Sequence, residues 1–150
     1  MERRIAPPAS REALLDKLVE AMKLFDTKAK ALVYAAALGW HLGEPREVEG
    51  RGEGIRVSVF QSSGDAGFVD ALAVAQTKDL RVLGSEREEE RVTVFEQFAA
   101  AGLEEMQRRC IDQQGDPLMT LLEMSYDARK SSEESTNDGI VPGLLRNLLG

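Results

Sequence analysis

Residues 27–43, TKAKALVYAAALGWHLG, form the longest weakly charged stretch of the chain and include its one Trp and its one His. Apolar side chains recur along this stretch at the spacing of a single helical face. They are Ala29, Leu32, Val33, Ala36, Ala37 and Trp40. Asp26 or Thr27 can cap the first helical turn, and Gly39 is the expected left-handed end of the helix. The stretch therefore predicts a central core helix.

The polar positions of this helix have two interpretations. The first is a solvated basic edge on a core helix, which is the usual meaning of such periodicity. The second is a binding face that uses four side chains. They are Lys28, Lys30, Trp40 and His41.

Four further segments carry apolar stripes with helical spacing, and cap or proline signals mark where they begin. With the central helix, they cover about residues 10–25, 27–39, 66–76, 85–112 and 117–129. Gly102 interrupts the fourth stripe and predicts a loosened or kinked turn there. The expected fold class is mainly α, as a compact bundle of about five helices with at most a minor β element.

Residues 55–60, IRVSVF, leave a choice between strand and helix. Ile55, Val57 and Val59 alternate with other residues, as in a strand. However, RVSVFQ at 56–61 returns 35 residues later as RVTVFE, inside a predicted helix. Both conformations therefore remain open for residues 55–60.

The ends of the chain differ in composition from its centre. Residues 1–9 contain Pro7 and Pro8 and predict a flexible N-terminus. Residues 10–129 form the predicted helical domain, and the polar residues 130–139 form a predicted disordered linker. Residues 140–150 predict an amphipathic segment, in which Leu144, Leu145 and Leu148 are candidate binding residues. That segment could dock on its own domain, on a second copy or on a partner.

The charge balance argues against a protein dedicated to nucleic acid. The chain carries a net charge of −7. Residues 1–60 hold 10 Lys and Arg against 9 Asp and Glu, whereas residues 61–150 hold 9 against 17. An acidic chain repels phosphate backbones on average, so any DNA contact is expected in the N-terminal half.

The sequence carries no recognisable catalytic or metal-binding constellation. One His and one Cys, His41 and Cys110, cannot form a metal cluster of the usual composition, and we read Cys110 as a packing residue. No phosphate-binding loop or nucleophile motif occurs. We expect a protein that is not an enzyme and that takes no cofactor. The absence of a long apolar run predicts no membrane span, and the single Cys fits a cytoplasmic location.

Three segments resemble a known bacterial family. They are DTKAKALVYAAALGW at 26–40, IRVSVF with the following AGFVDALAVAQT at 55–77, and RVTVFEQFAAAGLEEM at 91–106. They are similar to the Dnd system-associated protein 4 family, which is encoded beside DNA phosphorothioation genes; Tyr34 stands where that family has Phe. The resemblance implies a role in phosphorothioate-linked defence against foreign DNA, and it supplies no catalytic residue.

Two functions follow from these observations. The favoured one is a non-enzymatic accessory or adaptor protein that binds other proteins of the phosphorothioation system, with self-association left open. The alternative is a DNA-binding or regulatory subunit of the same system, which uses basic residues of the N-terminal half. They are Lys23, Lys28, Lys30, Arg46, Arg51 and Arg56.

Overall fold

The computed structural model describes residues 2–138, and side chains from residue 2 to residue 134. The chain divides into two compact units, Met1–Arg108 and Arg109–Gly150, called unit 1 and unit 2. The described residues form six α-helices and one two-stranded antiparallel sheet. This confirms the predicted mainly α class with a minor β element. Among these residues, no helix is both long and apolar enough to cross a membrane.

Unit 1 contains all of the sheet and five of the helices in the described residues. Its elements are β1 (Arg4–Ile5), α1 (Glu12–Asp16), α2 (Lys28–Leu42), β2 (Ile55–Arg56), α3 (Val57–Ser62), α4 (Ala66–Thr77) and α5 (Glu88–Met106). A 3-10 turn precedes α1 and another precedes α5, and a π-helical turn follows each of these two helices. Residues 55–60 therefore use both predicted conformations, because the strand ends at Arg56 and a helix begins at Val57.

Helix α2 begins as the sequence predicts and ends later. The Thr27 hydroxyl accepts a hydrogen bond from the Lys30 backbone N–H at 3.2 Å, which caps the first turn. The predicted end at Gly39 is wrong, because the helix continues to Leu42 and Gly43 adopts the left-handed conformation with φ of 80°. Gly43 N–H then bonds to the carbonyls of Gly39 and Trp40, so Gly43 is the C-terminal cap.

Gly39 instead allows α2 to cross α5 at close range. A Cβ atom on Gly39 would lie 2.8 Å from the carbonyl carbon of Phe98, and one on Gly102 would lie 2.7 Å from Ala35 Cα. In each case a carbonyl oxygen would be nearer still. Helix α5 continues through Gly102 and spans Glu88–Met106. The two glycines therefore serve the backbone approach between the two largest helices of unit 1.

The N-terminal residues form part of the fold. Arg4 pairs with Arg56 and Ile5 with Ile55 in the antiparallel sheet, and the Ile5 side chain is buried. A bridge between Pro8 and Arg51 extends the same pairing. The prediction of a flexible segment at residues 1–9 is therefore wrong for the described part. Proline lacks a backbone donor but can accept, so it does not prevent pairing at a sheet edge.

Aromatic side chains form the centre of unit 1. Phe60, Phe95 and Phe98 are fully buried. Phe95 meets Phe60 edge-on, with ring centroids 5.7 Å apart, and Phe98 meets Trp40 in the same way at 5.3 Å. These contacts match the favoured geometry of aromatic pairs and account for the phenylalanines as core residues.

Unit 2 contains α6, which spans Pro117–Asp138. Asp116 caps it by accepting a hydrogen bond from the Leu118 N–H at 3.0 Å. The helix includes residues 130–138, which composition assigns to a disordered linker. Residues 130–138 contain no glycine or proline. At the start of this segment Arg129 Nε lies 3.0 Å from Glu133 Oε1, an ion pair that spans one helical turn. The boundary after Arg108 also divides the predicted helical domain 10–129, so that segment is not one compact unit. The predicted segment 140–150, with Leu144, Leu145 and Leu148, lies outside the described residues.

Candidate functional site

The two lysines at the start of α2 are engaged in ion pairs. Lys28 Nζ lies 2.9 Å from an Asp16 carboxylate oxygen, and Lys30 Nζ lies 2.8 Å from one of Asp65. The hydrogen bond from Lys30 lowers the pKa of Asp65, and the bond to Asp16 raises the pKa of Lys28. These pairs connect α2 to α1 and to the segment before α4, so both lysines take part in the packing of unit 1.

The predicted binding residues of α2 fall at opposite ends of the helix. Trp40 lies twelve positions after Lys28, which corresponds to roughly 18 Å along a helix axis. Trp40 is 42% exposed and rests edge-on against Phe98, while His41 is exposed. The structure therefore brings Trp40 and His41 to one end of α2 and does not join them to Lys28 and Lys30 in a single site.

Arg46 lies in the segment after α2 and contacts α5. Its Nε is 3.2 Å from Glu104 Oε2, and its backbone N–H donates to the Gln97 carbonyl at 3.0 Å. A second carboxylate, from Glu44, lies 3.5 Å from Nη1. These contacts attach the segment to α5, so Arg46 has a structural role whatever else it binds.

Helix α6 presents an apolar face to solvent. Leu118, Met119, Leu122 and Tyr126 are 49%, 52%, 55% and 67% exposed, and we call these four residues the α6 face. Their spacing of i, i+1, i+4 and i+8 places them within about 100° of the helix circumference. Single exposed apolar residues are normal on proteins, whereas a contiguous group indicates an interaction surface.

The spacing of the same leucines predicts a helix but does not indicate the α6 face. The stripe through Leu118, Leu121 and Leu122 reads as core spacing. In the structure Leu121 and Met124 are buried, whereas Leu118, Met119 and Leu122 are about half exposed. The position of Met119 beside Leu118, which widens the apolar arc beyond one stripe, is the signal that could have revealed a second face.

A second feature is an open cleft beside the β1–β2 sheet, lined by three arginines. Arg3, Arg4 and Arg51 surround a cavity of about 490 Å³, and we call it the arginine cleft. Its remaining walls come from Glu2, Ala6, Gly52 and Gly54. Of the three arginines, the sequence singles out Arg51 alone. Arg3 and Arg4 were missed because they lie in a segment that the prolines predict to be flexible.

A buried carboxylate fixes one wall of the arginine cleft. Glu96, on α5, is 6% exposed. Its Oε2 accepts a hydrogen bond from the Ala6 N–H at 2.8 Å and another from Arg51 Nη2 at 3.0 Å. The same Arg51 nitrogen donates to the Arg4 carbonyl at 3.0 Å. Burial raises the pKa of the Glu96 carboxyl, and its two bonds connect the N-terminal segment to α5.

The remaining chemistry is sparse. The described residues contain no group of three His, Cys, Asp or Glu side chains that could hold a metal ion. His41 belongs to unit 1, and the buried Cys110 belongs to unit 2. Two features with open surface are the α6 face and the arginine cleft.

Comparison with known proteins gives one match. The model of the family described as DNA sulphur modification system-associated protein 4 matches residues 4–141. No curated protein matches the chain, and no solved structure matches it.

Proposed function

This chain belongs to the DNA sulphur modification system-associated protein 4 family, and we propose that it is a non-enzymatic accessory protein of a bacterial DNA-phosphorothioation system. In this proposal it acts through contacts with other proteins of that system and serves in defence against foreign DNA. The family description supports the association with the system. The mode of action is argued from the α6 face.

The α6 face is the observation that carries the proposal. Four large apolar side chains on one helical face remain about half exposed or more. Their exposure costs free energy in water, at roughly 25 cal/mol for each Å² of apolar surface. A partner that covers the face recovers this free energy, and an amphipathic helix lying in a partner's groove is a common form of recognition.

The ion pairs of the basic residues favour protein contacts over the alternative of DNA binding. Lys28, Lys30 and Arg46 each have a carboxylate partner in unit 1. Arg51 and Arg56 are paired with Glu96 and Glu2. A phosphate would have to displace the carboxylates paired with Lys28, Lys30 and Arg46, which offsets part of its attraction. The positive potential of a surface made from these residues is therefore lower than their number suggests.

Comparing the partners captured by wild-type protein with those captured by a variant with a disrupted α6 face tests the proposal. The double variant Leu118→Ser/Leu122→Ser removes two of the four apolar side chains of the face, and Leu80→Ser is the control. Leu80 is 72% exposed and lies in the 3-10 turn Leu80–Leu83 of unit 1, so its replacement removes exposed apolar surface outside the α6 face. Tagged proteins are purified from cells that express the neighbouring phosphorothioation genes, and the bound proteins are identified by mass spectrometry.

We expect wild-type protein and Leu80→Ser to retain proteins of the system and the double variant to lose them. Circular dichroism and thermal melting should show unchanged folding in all three, because exposed side chains contribute little to the core. Partners retained equally by the double variant would remove the α6 face from the proposal. Cleavage or modification of phosphorothioated DNA by the purified protein would contradict its non-enzymatic character.

A further inference from the structure

The arginine cleft has the size and the walls of a small-ligand site. Its cavity of about 490 Å³ lies within the roughly 300–1,000 Å³ range of ligand pockets. Three arginines, Arg3, Arg4 and Arg51, line the cavity together with one acidic residue, Glu2. The other walls are small residues, which leave backbone groups close to the cavity. The cleft therefore favours an anion.

The sheet beside the cleft concentrates positive charge. Arg4 and Arg56 are direct partners across the two antiparallel strands, and like charges in that position are destabilising. The nearby carboxylates neutralise this positive charge only in part. Arg56 Nε lies 3.9 Å from Glu2, and Arg3 Nη2 lies 3.6 Å from Glu89, both beyond hydrogen-bond distance. A bound anion would supply the short charge-assisted bonds that these ion pairs do not make.

Glu96 holds Arg51 in place for such a ligand. Arg51 Nη2 donates to Glu96 Oε2 and to the Arg4 carbonyl, both at 3.0 Å. The guanidinium is a rigid planar group, so two bonds at one nitrogen also orient Nε and Nη1. Arg4 is held from its own side by a 3.0 Å bond from Nη1 to the Gly54 carbonyl. Two of the three arginines are thereby positioned before any ligand arrives, which lowers the entropic cost of binding.

We propose that the arginine cleft binds the phosphate group of a nucleotide or of a nucleic-acid strand. Guanidinium groups bind both carboxylates and phosphates through paired hydrogen bonds. A phosphate offers three or four acceptor oxygens against the two of a carboxylate, so one phosphate can bond to several of these arginines at once. The lining residues include no aromatic side chain on which a base could stack, so recognition is directed to the phosphate. The site is distinct from the α6 face, and this inference stands apart from the proposed protein contacts.

Calorimetric titration of the full chain with three phosphate probes tests the inference. The probes are pyrophosphate, adenosine monophosphate and a short single-stranded oligonucleotide with a 5′-phosphate. Arg3→Ala is the main variant, because Arg3 makes one long, exposed ion pair and its loss leaves the Glu96 bonds intact. Arg81→Ala is the matched control, since it removes an equal charge from an arginine that is 88% exposed and paired with Asp79.

We expect binding by wild-type protein that Arg3→Ala weakens roughly tenfold, the loss of one charge-assisted interaction. Arg3→Lys keeps the charge but lacks the planar guanidinium, so its affinity should lie between those of wild type and Arg3→Ala. The affinity of Arg81→Ala should match that of wild type. Equal affinity for the small probes and the oligonucleotide assigns the site to a single phosphate. Tighter oligonucleotide binding, with a salt slope steeper than about −0.7, indicates several backbone phosphates.

Three results would overturn the phosphate site. The first is no binding of any probe by folded wild-type protein, and the second is equal weakening by Arg3→Ala and Arg81→Ala. The third is tighter binding of an acidic peptide than of any phosphate probe, with the same dependence on Arg3, which would assign the cleft to carboxylates of a protein partner.

Discussion

Replacing Gly102 by alanine should separate the two central helices of unit 1. The added Cβ would lie 2.7 Å from Ala35 Cα, with the Ala35 carbonyl oxygen nearer still. Cβ atoms essentially never approach other atoms within 3.0 Å. The obstacle is backbone on both sides, so no rotamer change relieves it. Helices α2 and α5 must move apart by on the order of 1 Å, a gap that forfeits a quarter to a half of each dispersion contact across it.

The net cost follows from two opposing terms. Overpacking of a core costs about 1–3 kcal/mol and at times more, and the backbone obstacle places Gly102→Ala at the upper end. Alanine in a helix interior is favoured over glycine by about 1 kcal/mol, which offsets part of that cost. We therefore expect unfolding to become easier by about 2–3 kcal/mol, and the melting temperature to fall by roughly 10 °C.

Urea denaturation followed by Trp40 fluorescence measures this effect, because Trp40 packs on Phe98 at the same crossing. Gly67→Ala is the control: Gly67 lies in α4, and its added Cβ would meet no atom within 4 Å. That variant should be unchanged or more stable by up to about 1 kcal/mol. Gly39→Ala combined with Gly102→Ala should cost less than the sum of the single effects, since helices already separated accept the second Cβ more easily.

A Gly102→Ala variant as stable as wild type, with Gly67→Ala behaving as expected, would refute the close approach of α2 and α5 at Gly102. Strict additivity of Gly39→Ala and Gly102→Ala would show that the two positions do not share one crossing.

Three further predictions concern the same unit. Burial raises the folded-state pKa of Glu96 above 4.5, so the ionisation of this carboxyl opposes folding. The stability of wild type relative to Glu96→Gln should therefore fall as pH rises from about 4.5 through the folded-state pKa, and urea denaturation at a series of pH values measures this. Hydrogen bonds from Arg81 lower the pKa of Asp79 from 3.8 to about 2, so the stability that the ionised carboxylate contributes is present above pH 3.8 and lost toward pH 2. Asp79→Asn should therefore show a smaller drop in melting temperature than wild type over that interval. Ile5 is 1% exposed, so Ile5→Ala should destabilise unit 1 by about 2–4 kcal/mol in the same urea assay, whereas no loss would indicate a detached N-terminus.

The local features of this fold were readable from the sequence because they depend on neighbouring residues. The stripe of residues 27–43 predicted α2, and the Thr27 cap is where a short hydroxyl side chain precedes that stripe. The Asp116–Pro117 start of α6 was readable in the same way. Helix period, cap and proline signals act within a few residues, so one segment of sequence contains all of the relevant information.

The tertiary structure decided what distant residues do to each other. Gly39 and Gly102 read as a helix end and a weak turn, but their lack of a side chain serves a crossing between residues 63 positions apart. Arg4 pairs with Arg56, and the Ala6 N–H donates to Glu96 across 90 positions. The arginine cleft exists only through those pairings, and the exposure of Leu118 and Leu122 is equally invisible in their spacing. Residue spacing fixes which side chains share a face, whereas burial and ion pairing depend on which other segment packs against that face.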